Sequence, residues 1–158
     1  MNLPVAGSTQ TLQALAQWVS ALASSVASGW NVDHKPDGTH KFAWIDVPFV
    51  VAAFGLFTAT TQTRFKYCVI GSTMFVAFDI TGTVAVTPTR LQLTIPGGYS
   101  AAESTSAGAF AYSDAGTAGN GDCIAIGQRL DLYKTINAPA WTNGTARVQG
   151  TVCFEVTR

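Results

Sequence analysis

The clearest pattern in the chain is an alternation of apolar and mixed positions between Met74 and Ile80. Every second residue in this stretch is apolar, namely Met74, Val76, Phe78 and Ile80. A period of two residues predicts a β-strand with one buried face. A shorter strand of the same kind, Phe65 to Val69, precedes it. Gly71-Ser72 joins the two and predicts either a bulge or a turn.

The same alternation recurs downstream in short segments. Proline, glycine and asparagine separate these segments at Pro88, Pro96-Gly97-Gly98, Pro139 and Asn143-Gly144. The alternating positions are Val84 and Val86; Leu91, Leu93 and Ile95; Ile124 and Ile126; Leu130 and Leu132 with Tyr133; and Ala146, Val148, Val152, Phe154 and Val156. Roughly eight short strands with long cross-connections predict an all-β fold, a jelly-roll-like antiparallel β-sandwich.

Residues 97 to 122 are rich in Gly, Ala, Ser and Thr and contain one short candidate strand, Ala109 to Tyr112. Long polar excursions from a β-scaffold are frequent binding sites. Aromatic rings stack on sugar faces, although a ring in a sandwich is more often part of the core. The candidate ligand contacts in these and neighbouring loops are Tyr99, Phe110, Tyr112 and Trp141.

Residues 42 to 57 are apolar on both parities over much of their length. Asp46 and Pro48 are incompatible with one central strand or a membrane helix. The pattern therefore predicts an edge strand, a break at Pro48 and a buried strand after it, with a neighbouring subunit as one way to cover the segment. The polar run 58 to 63 leads from there into the Phe65 strand.

The N-terminal segment has helical periodicity. Its apolar positions, spaced by three and four residues, are Leu12, Leu15, Val19, Leu22 and Val26, with Trp18 beside them. Such a seam predicts a short α-helix. Two roles remain open: packing on its own domain, or bundling with copies of itself or docking into another protein. The second is favoured because the far face carries Gln and Ser and because the helix is too short to be stable alone.

A polar segment follows the helix. Residues 30 to 41 concentrate charge, proline and glycine, which indicates a linker or surface turn. The predicted organisation is thus an anchoring or oligomerisation helix in residues 1–29, a linker in 30–41 and a sandwich domain in 42–158. His34 and His40 lie in the linker near Asp33 and Asp37, but their spacing matches no established metal site.

Few charges are present. Of the 158 residues, 47% are hydrophobic and only 11% are charged, so the surface is either rich in uncharged polar groups or covered by partners. Nine basic and nine acidic residues are scattered, which argues against nucleic acid as a partner. The first 32 residues carry no charged side chain and are interrupted by Gln and Ser, which fits neither a secretory signal nor a membrane span.

The cysteines, Cys68, Cys123 and Cys153, are odd in number and widely spaced. This pattern fits neither a disulfide framework nor a zinc site. Each is expected to pack as a small hydrophobe in a reducing compartment, with a Cys68–Cys153 pair as an unsupported alternative.

Catalytic patterns are weak. Both histidines lie in one loop, and no G-x-S-x-G occurs, so a hydrolytic triad is not predicted. Asp114, Asp122 and Asp131 are close enough in sequence to suggest paired carboxylates, and Asp114, Asn120 and Asp122 could hold calcium in a loop, but chance explains both groupings better. We predict no enzyme activity, no metal and no cofactor.

Three stretches of the β-rich region form a recognisable set of framework motifs: Tyr67, Val69-Ile70-Gly71, Thr73-Met74, Val76, Phe78, Ile80 and Gly82-Thr83; Leu91, Leu93 and Ile95-Pro96-Gly97-Gly98-Tyr99; and Val148-Gln149-Gly150, Val152 and Phe154-Glu155-Val156. Together they resemble the jelly-roll domains of tailed-bacteriophage fibre and head-decoration proteins, over about residues 42 to 158. The resemblance implies a homotrimer anchored to a virion through an N-terminal segment. It implies no catalytic residues.

Two classes of function follow from these expectations. The first is a structural protein on the virion surface, a homotrimeric decoration or cement protein or short head fibre held by the major capsid protein or another virion protein. The second is a tail-fibre or spike module that recognises host-surface glycan. The first is favoured because a tail fibre needs a shaft, and only about thirty residues precede the domain. A bacterial surface adhesin or cytokine-like trimer is a more distant third.

Overall fold

The computed structural model of this protein describes residues 14–24, 43–135 and 140–158, without the side chains of Ala59 and Thr60. The chain forms two compact units, Met1–Phe42 and Ala43–Arg158. In the first unit, residues 14–24 form an α-helix, α1. Frequent alanine and the absence of glycine and proline within these eleven residues favour that conformation.

The second unit is an antiparallel β-structure. Its described residues form ten strands: β1 (Ile45–Asp46), β2 (Phe54–Gly55), β3 (Thr58–Ile70), β4 (Thr73–Val84), β5 (Leu91–Thr94), β6 (Ser100–Ala101), β7 (Thr105–Asp114), β8 (Thr117–Ile126), β9 (Arg129–Tyr133) and β10 (Gly144–Thr157). Single 3₁₀ turns occupy Val51–Ala53 and Pro96–Gly98. The prediction of an all-β, jelly-roll-like fold with a short N-terminal helix is confirmed.

One sheet contains all ten strands, in the order β1-β3-β4-β10-β7-β8-β9-β5-β2, with β6 paired to β10. Strands that are far apart in this order contribute side chains to one hydrophobic core. The sheet is therefore curled, and opposite parts of its inner face pack against each other. The largest fully buried side chains are Trp141, Phe78, Met74, Ile80, Leu91, Leu93, Leu130, Leu132, Val76, Val84, Val148 and Val152. Burying each large aliphatic or aromatic side chain contributes roughly 1.5–3 kcal/mol.

The hairpin between β3 and β4 follows the predicted pattern. Ile70 pairs with Thr73, so Gly71-Ser72 is a tight turn rather than a bulge, and Gly71 adopts a positive φ of 61°. On β4, the alternate side chains from Met74 to Ile80 that were predicted to face the core are all fully buried. The predicted inward parity of β10 is also buried, from Ala146 to Val156.

Both edges of the sheet come from one stretch of chain. β1 pairs with β3 at one edge, and β2 pairs with β5 at the other. The ring of Phe54 in β2 lies 6.1 Å from that of Phe65 in β3, centroid to centroid, which brings the two edges together. Short edge strands leave little free backbone for pairing with another chain.

The segment around Pro48 differs from the prediction. β1 is an edge strand as expected, but the buried strand expected after Pro48 is wrong: residues 47–50 are irregular and only Phe54–Gly55 pairs. The polar run 58–63, expected to lead into a strand, is already part of β3. Threonine is β-branched, and Thr58 and Thr61 pair with β4, which explains a strand without apolar alternation. Val86, beyond the end of β4, is exposed.

The largest correction concerns residues 97–122. Instead of a polar excursion with one short strand, they hold β6, β7 and half of β8. β7 and β8 form a hairpin that turns through Ala115 and Gly116, both at positive φ. A Cβ on Gly119 would lie 2.6 Å from the Tyr112 hydroxyl, because aromatic rings of β7 cover the glycines of β8. Rings on one strand thus fill the volume that small residues leave on the next.

The face of β8 that is buried is also the opposite of the one predicted from Ile124 and Ile126. Cys123 and Ala125 are fully buried, whereas Ile124 and Ile126 are half-buried. Ile124 lies opposite Asp131 on the outer face. The inner positions of β8 are small, and at Gly121 the reason is direct: the Phe110 ring and the Tyr133 carbonyl oxygen take up the space of a side chain.

This crowding makes Gly121 a sensitive position. We expect Gly121→Ala to lower the free energy of unfolding by about 1–3 kcal/mol, because the new methyl group displaces Phe110 or the β9 backbone. Urea unfolding followed by circular dichroism measures the change. Ala118→Ser, at an exposed position of the same strand, serves as the control and is expected to stay within about 0.5 kcal/mol of the parent chain. Equal stability of both variants would contradict the close packing of β7 on β8.

Candidate functional site

The predicted anchoring residues of α1 present an apolar surface. Leu15, Val19 and Leu22 are 41%, 51% and 44% exposed, and Trp18 is half-buried. Spacings of three and four residues place all of them on one face of the helix. The remaining two seam residues, Leu12 and Val26, lie outside the described part of the chain. In the described residues, α1 therefore exposes an uncharged apolar face.

A second exposed apolar surface lies at the start of the sandwich unit. We call it the apolar segment; its exposed members are Trp44, Ile45, Phe49, Val50, Val51 and Leu56. The neighbouring side chains Phe54 and Phe57 are buried in the core and hold the segment to the sheet. Leu56 adopts a positive φ of 66°, a strained conformation for a leucine, and its side chain is 45% exposed. Contiguous exposed apolar groups of this kind mark protein contact sites.

The candidate ligand-contact aromatics occupy other positions than expected. Phe110 and Trp141 are buried in the core, and the Trp141 indole Nε1–H donates to the Leu132 carbonyl oxygen at 3.2 Å. Tyr112 lies between them in strand β7, with ring centroids 6.3 Å from Phe110 and 5.3 Å from Trp141. The expectation of ligand contact is therefore wrong for Phe110 and Trp141, which are packing residues. Tyr112 lies in a strand rather than in a loop and is half-buried.

Tyr99 is the fourth of these aromatics and is half-buried. Its ring lies 6.5 Å from that of Tyr67, and the guanidinium of Arg158 stands 5.0 Å above it. A cation over an aromatic face stabilises both side chains. Tyr99 thus joins the turn after β5 to the C-terminal end of β10.

Two of the three candidate carboxylates are buried and paired separately. Asp114 accepts hydrogen bonds from Lys134 Nζ (2.8 Å) and Thr142 Oγ1 (3.0 Å), which fixes the ends of the β9–β10 connection. Asp131 accepts from Arg129 Nε (3.0 Å) and Gln92 Nε2 (3.1 Å), and Arg90 Nε lies 3.2 Å from its second oxygen. Asp122 is half-buried on the outer face of β8. Each buried charge is compensated locally, as the cost of burying it requires.

The outer face of the sheet carries an ion pair that the sequence analysis missed. Arg147 Nε and Nη2 donate to Asp79 Oδ1 and Oδ2 at 2.9 and 2.8 Å, in a bidentate arrangement across β10 and β4. Asp79 belongs to a transverse row of residues that pair directly across five strands, namely Arg64, Asp79, Gln149, Ala111 and Asn120. We call this set the outer row. Asp79 is recognisable in the sequence as the charged residue of an otherwise apolar strand, but nothing there identifies Arg147 as its partner.

Electrostatics keep Asp79 ionised. The hydrogen bonds from Arg147 lower the pKa of Asp79; burial opposes this shift, and the charges of Arg147 and Arg64 reinforce it. Because the folded-state pKa lies below the unfolded value, the contribution of this pair to stability is present at neutral pH. It is lost as the pH falls through the folded-state pKa, below about pH 4.

Two shallow cavities flank this ion pair. The first, of about 600 Å³, lies where β1, β3 and β4 meet and is lined by Asp46, Val47, Gln62, Thr63, Arg64, Phe65, Lys66 and Asp79. The second, of about 450 Å³, lies over β10, β7 and β8 and is lined by Ala111, Tyr112, Ser113, Ala118, Gly119, Asn120, Arg147 and Gln149. Both volumes are in the range of small-ligand sites.

The cysteines are free thiols. Cys68 and Cys153 both pair with Phe75, from opposite sides, so two strand spacings of roughly 4.8 Å each separate them, too far for a disulfide. Cys68 and Cys123 are buried as expected, whereas the expectation of burial is wrong for Cys153. Burial, with a smaller effect of the Asp131 charge, raises the pKa of the Cys123 thiol to about 12.

Other site types have little support in the described residues. Across residues 14–24, 43–135 and 140–158, no group of three or more His, Cys, Asp or Glu side chains could hold a metal ion. His34 and His40 lie outside these ranges. Within the same ranges, no helix has the length and hydropathy needed to span a membrane. Comparison with protein-family models, curated proteins and solved structures gives no match to this chain.

The Asp79–Arg147 pair can be tested by titration. We expect Arg147→Gln to raise the pKa of Asp79 toward its ordinary value of 3.8, because the hydrogen bonds from the guanidinium are lost while Arg64 still contributes. The variant should then lose less stability on acidification below about pH 4. Carbon-detected NMR of the Asp79 carboxyl group measures the pKa. Arg129→Gln removes a comparably exposed arginine from the Asp131 pair and should leave the Asp79 pKa unchanged; an equal effect of both variants would contradict the assignment.

Proposed function

We propose that this protein is a structural component of a bacteriophage virion: a homotrimeric decoration or cement protein, or a short head fibre, mounted through its N-terminal segment. The phage assignment and the trimer rest on the resemblance of residues 42–158 to phage jelly-roll domains. The partners in this proposal are further copies of the chain and the major capsid protein or another virion protein. The proposed location is the virion surface.

The observation that carries the proposal is the distribution of exposed apolar side chains. In the part of the chain that the structure describes, eleven large hydrophobic side chains are exposed, and nine of them belong to α1 or to the apolar segment. The other two, Ile70 and Val86, are isolated in sequence. Scattered apolar residues need no explanation, but concentration in two stretches of the chain favours burial by partners.

The two stretches suit two different contacts. α1 carries no charged side chain, and its exposed face is a narrow seam of the kind that helices bury against other helices or in a groove. The apolar segment lies on the rigid sandwich unit, where a neighbouring copy can cover it. We therefore assign particle anchoring to α1 and contacts between copies to the apolar segment.

The proposal assigns the chain no catalytic role. Asp114 and Asp131, two of the three candidate carboxylates, are engaged by cations and hydrogen-bond donors that the fold itself supplies. Their arrangement is explained by the need to compensate buried charges. A second candidate function, recognition of host-surface glycan, is favoured by the cavities of the outer face rather than by the aromatic residues first considered for it.

Anchoring by α1 predicts a specific loss of assembly. Val19→Asp combined with Leu22→Asp should leave a folded sandwich unit that no longer joins the particle, because two charges cannot be buried in an apolar contact. Incorporation is measured by sedimenting particles assembled with the variant. The control, Gln17→Asp with Ser24→Asp, adds the same charges to the opposite face of the helix. Normal incorporation of the seam variant would exclude the anchor.

Contacts between copies predict a change in oligomeric state. Val50→Lys combined with Val51→Lys should shift the protein from trimer to monomer in light scattering, with little change in the stability of each copy since both side chains are exposed. Val86→Lys changes a valine that is 60% exposed outside the apolar segment and should leave the trimer intact. A parent chain that is monomeric at every concentration would refute the trimer.

A further inference from the structure

The outer face of the sheet has the features of a ligand site that the structural role does not use. The two cavities lie on either side of the Asp79–Arg147 pair, and the outer row passes through both of them. Its five members belong to adjacent strands, each roughly 4.8 Å from the next, so the row is about 19 Å long. An elongated ligand lying across the strands would contact both cavities and the ion pair between them.

The polar groups along this face can both donate and accept hydrogen bonds. Arg147 uses Nε–H and one Nη2–H of its five N–H donors on Asp79, and its side chain is 51% exposed. Each Asp79 oxygen accepts one of these bonds and has a further lone pair. Beside them, the Gln149 and Asn120 amides and the Ser113 hydroxyl each offer a donor and an acceptor.

The charges along this face nearly balance. The residues that line the two cavities include three basic side chains, Arg64, Lys66 and Arg147, and two acidic ones, Asp46 and Asp79, which gives a net charge of +1. Asp79 and Arg147 compensate each other, and the second cavity is otherwise lined by uncharged residues. A strongly anionic ligand lying along the row would meet the ionised carboxylate of Asp79. The face is therefore suited to an uncharged ligand with many hydroxyl groups.

From these contacts we propose that the outer face binds a neutral oligosaccharide, which lies along the outer row with its hydroxyl groups on Arg147, Asp79, Gln149 and Asn120. This inference goes beyond the structural role; it rests on the second candidate function, glycan recognition, and gives that function a site and a ligand class. It uses the polar outer face, whereas assembly uses α1 and the apolar segment. A particle component can therefore carry out both at once.

The experiment uses the full chain, fluorescently labelled, on an array of neutral oligosaccharides printed beside their carboxylated and sulfated counterparts. We expect retention on a subset of the neutral oligosaccharides, with little dependence on salt because no net charge is neutralised. Arg147→Ala and Gln149→Ala should each weaken this retention about tenfold or more, since each removes hydrogen bonds that are made to the ligand. Asn120→Ala tests the second cavity without disturbing the ion pair.

Arg129→Ala is the matched control. It removes an arginine that is 46% exposed and paired with a carboxylate, as Arg147 is at 51%, but it lines neither cavity. Retention by this variant together with loss in Gln149→Ala and Asn120→Ala supports the site. Three results would overturn the proposed site. The protein binds no neutral oligosaccharide on the array, it binds only acidic glycans, or Arg129→Ala weakens glycan binding as much as Arg147→Ala does. The seam variant of α1 should keep its glycan binding, so the site and the anchor can fail independently.

Discussion

The fold depends on the pairing of β4 with β10. Twelve residue pairs, from Val84 with Gly144 to Thr73 with Glu155, join segments that lie about seventy residues apart in the chain. The inner parity of this ladder supplies much of the core, including Val76, Phe78 and Val148. Its outer parity brings Arg147 to Asp79. One register therefore determines both faces, because a shift by a single residue would exchange the buried and exposed sets. Contacts of such sequence separation are also slow to form, which is typical of all-β topologies.

Sequence periodicity predicted the parts of the fold in which large apolar residues alternate. β4, β5 and the inward-facing residues of β10 belong to this class. Gly71-Ser72 was predicted as either a bulge or a turn, and it is a turn. β7 and β8 were predicted only in part, as Ala109 to Tyr112 and as the segment of Ile124 and Ile126. The rest was missed because glycines of β8 lie beneath the rings of Phe110 and Tyr112, and this complementarity exists only once the strands have paired. The Asp79–Arg147 pair was missed for the same reason. The apolar face of α1 was predicted from spacing alone, since three- and four-residue steps place side chains on one side of a helix.

The described surface is divided by chemistry. Exposed apolar side chains are concentrated in α1 and the apolar segment, while the outer row presents amides, a guanidinium and a carboxylate along one transverse line. A chain with nine acidic and nine basic residues has little long-range field to direct association. In the proposed roles we therefore expect recognition to rest on shape, apolar burial and local hydrogen bonding.

The placement of both edge strands in the segment before β3 has a consequence for local stability. β1 and β2 are two residues long, so few backbone hydrogen bonds must open to release either edge, whereas β4 and β10 can open only with the whole sandwich. Amide hydrogens near Ile45 and Phe54 therefore exchange with solvent long before those of the central ladder. The same segment bears six of the eleven large hydrophobic side chains that are exposed in the described residues. In the proposed trimer, a neighbouring copy that covers it closes the least stable part of the sheet.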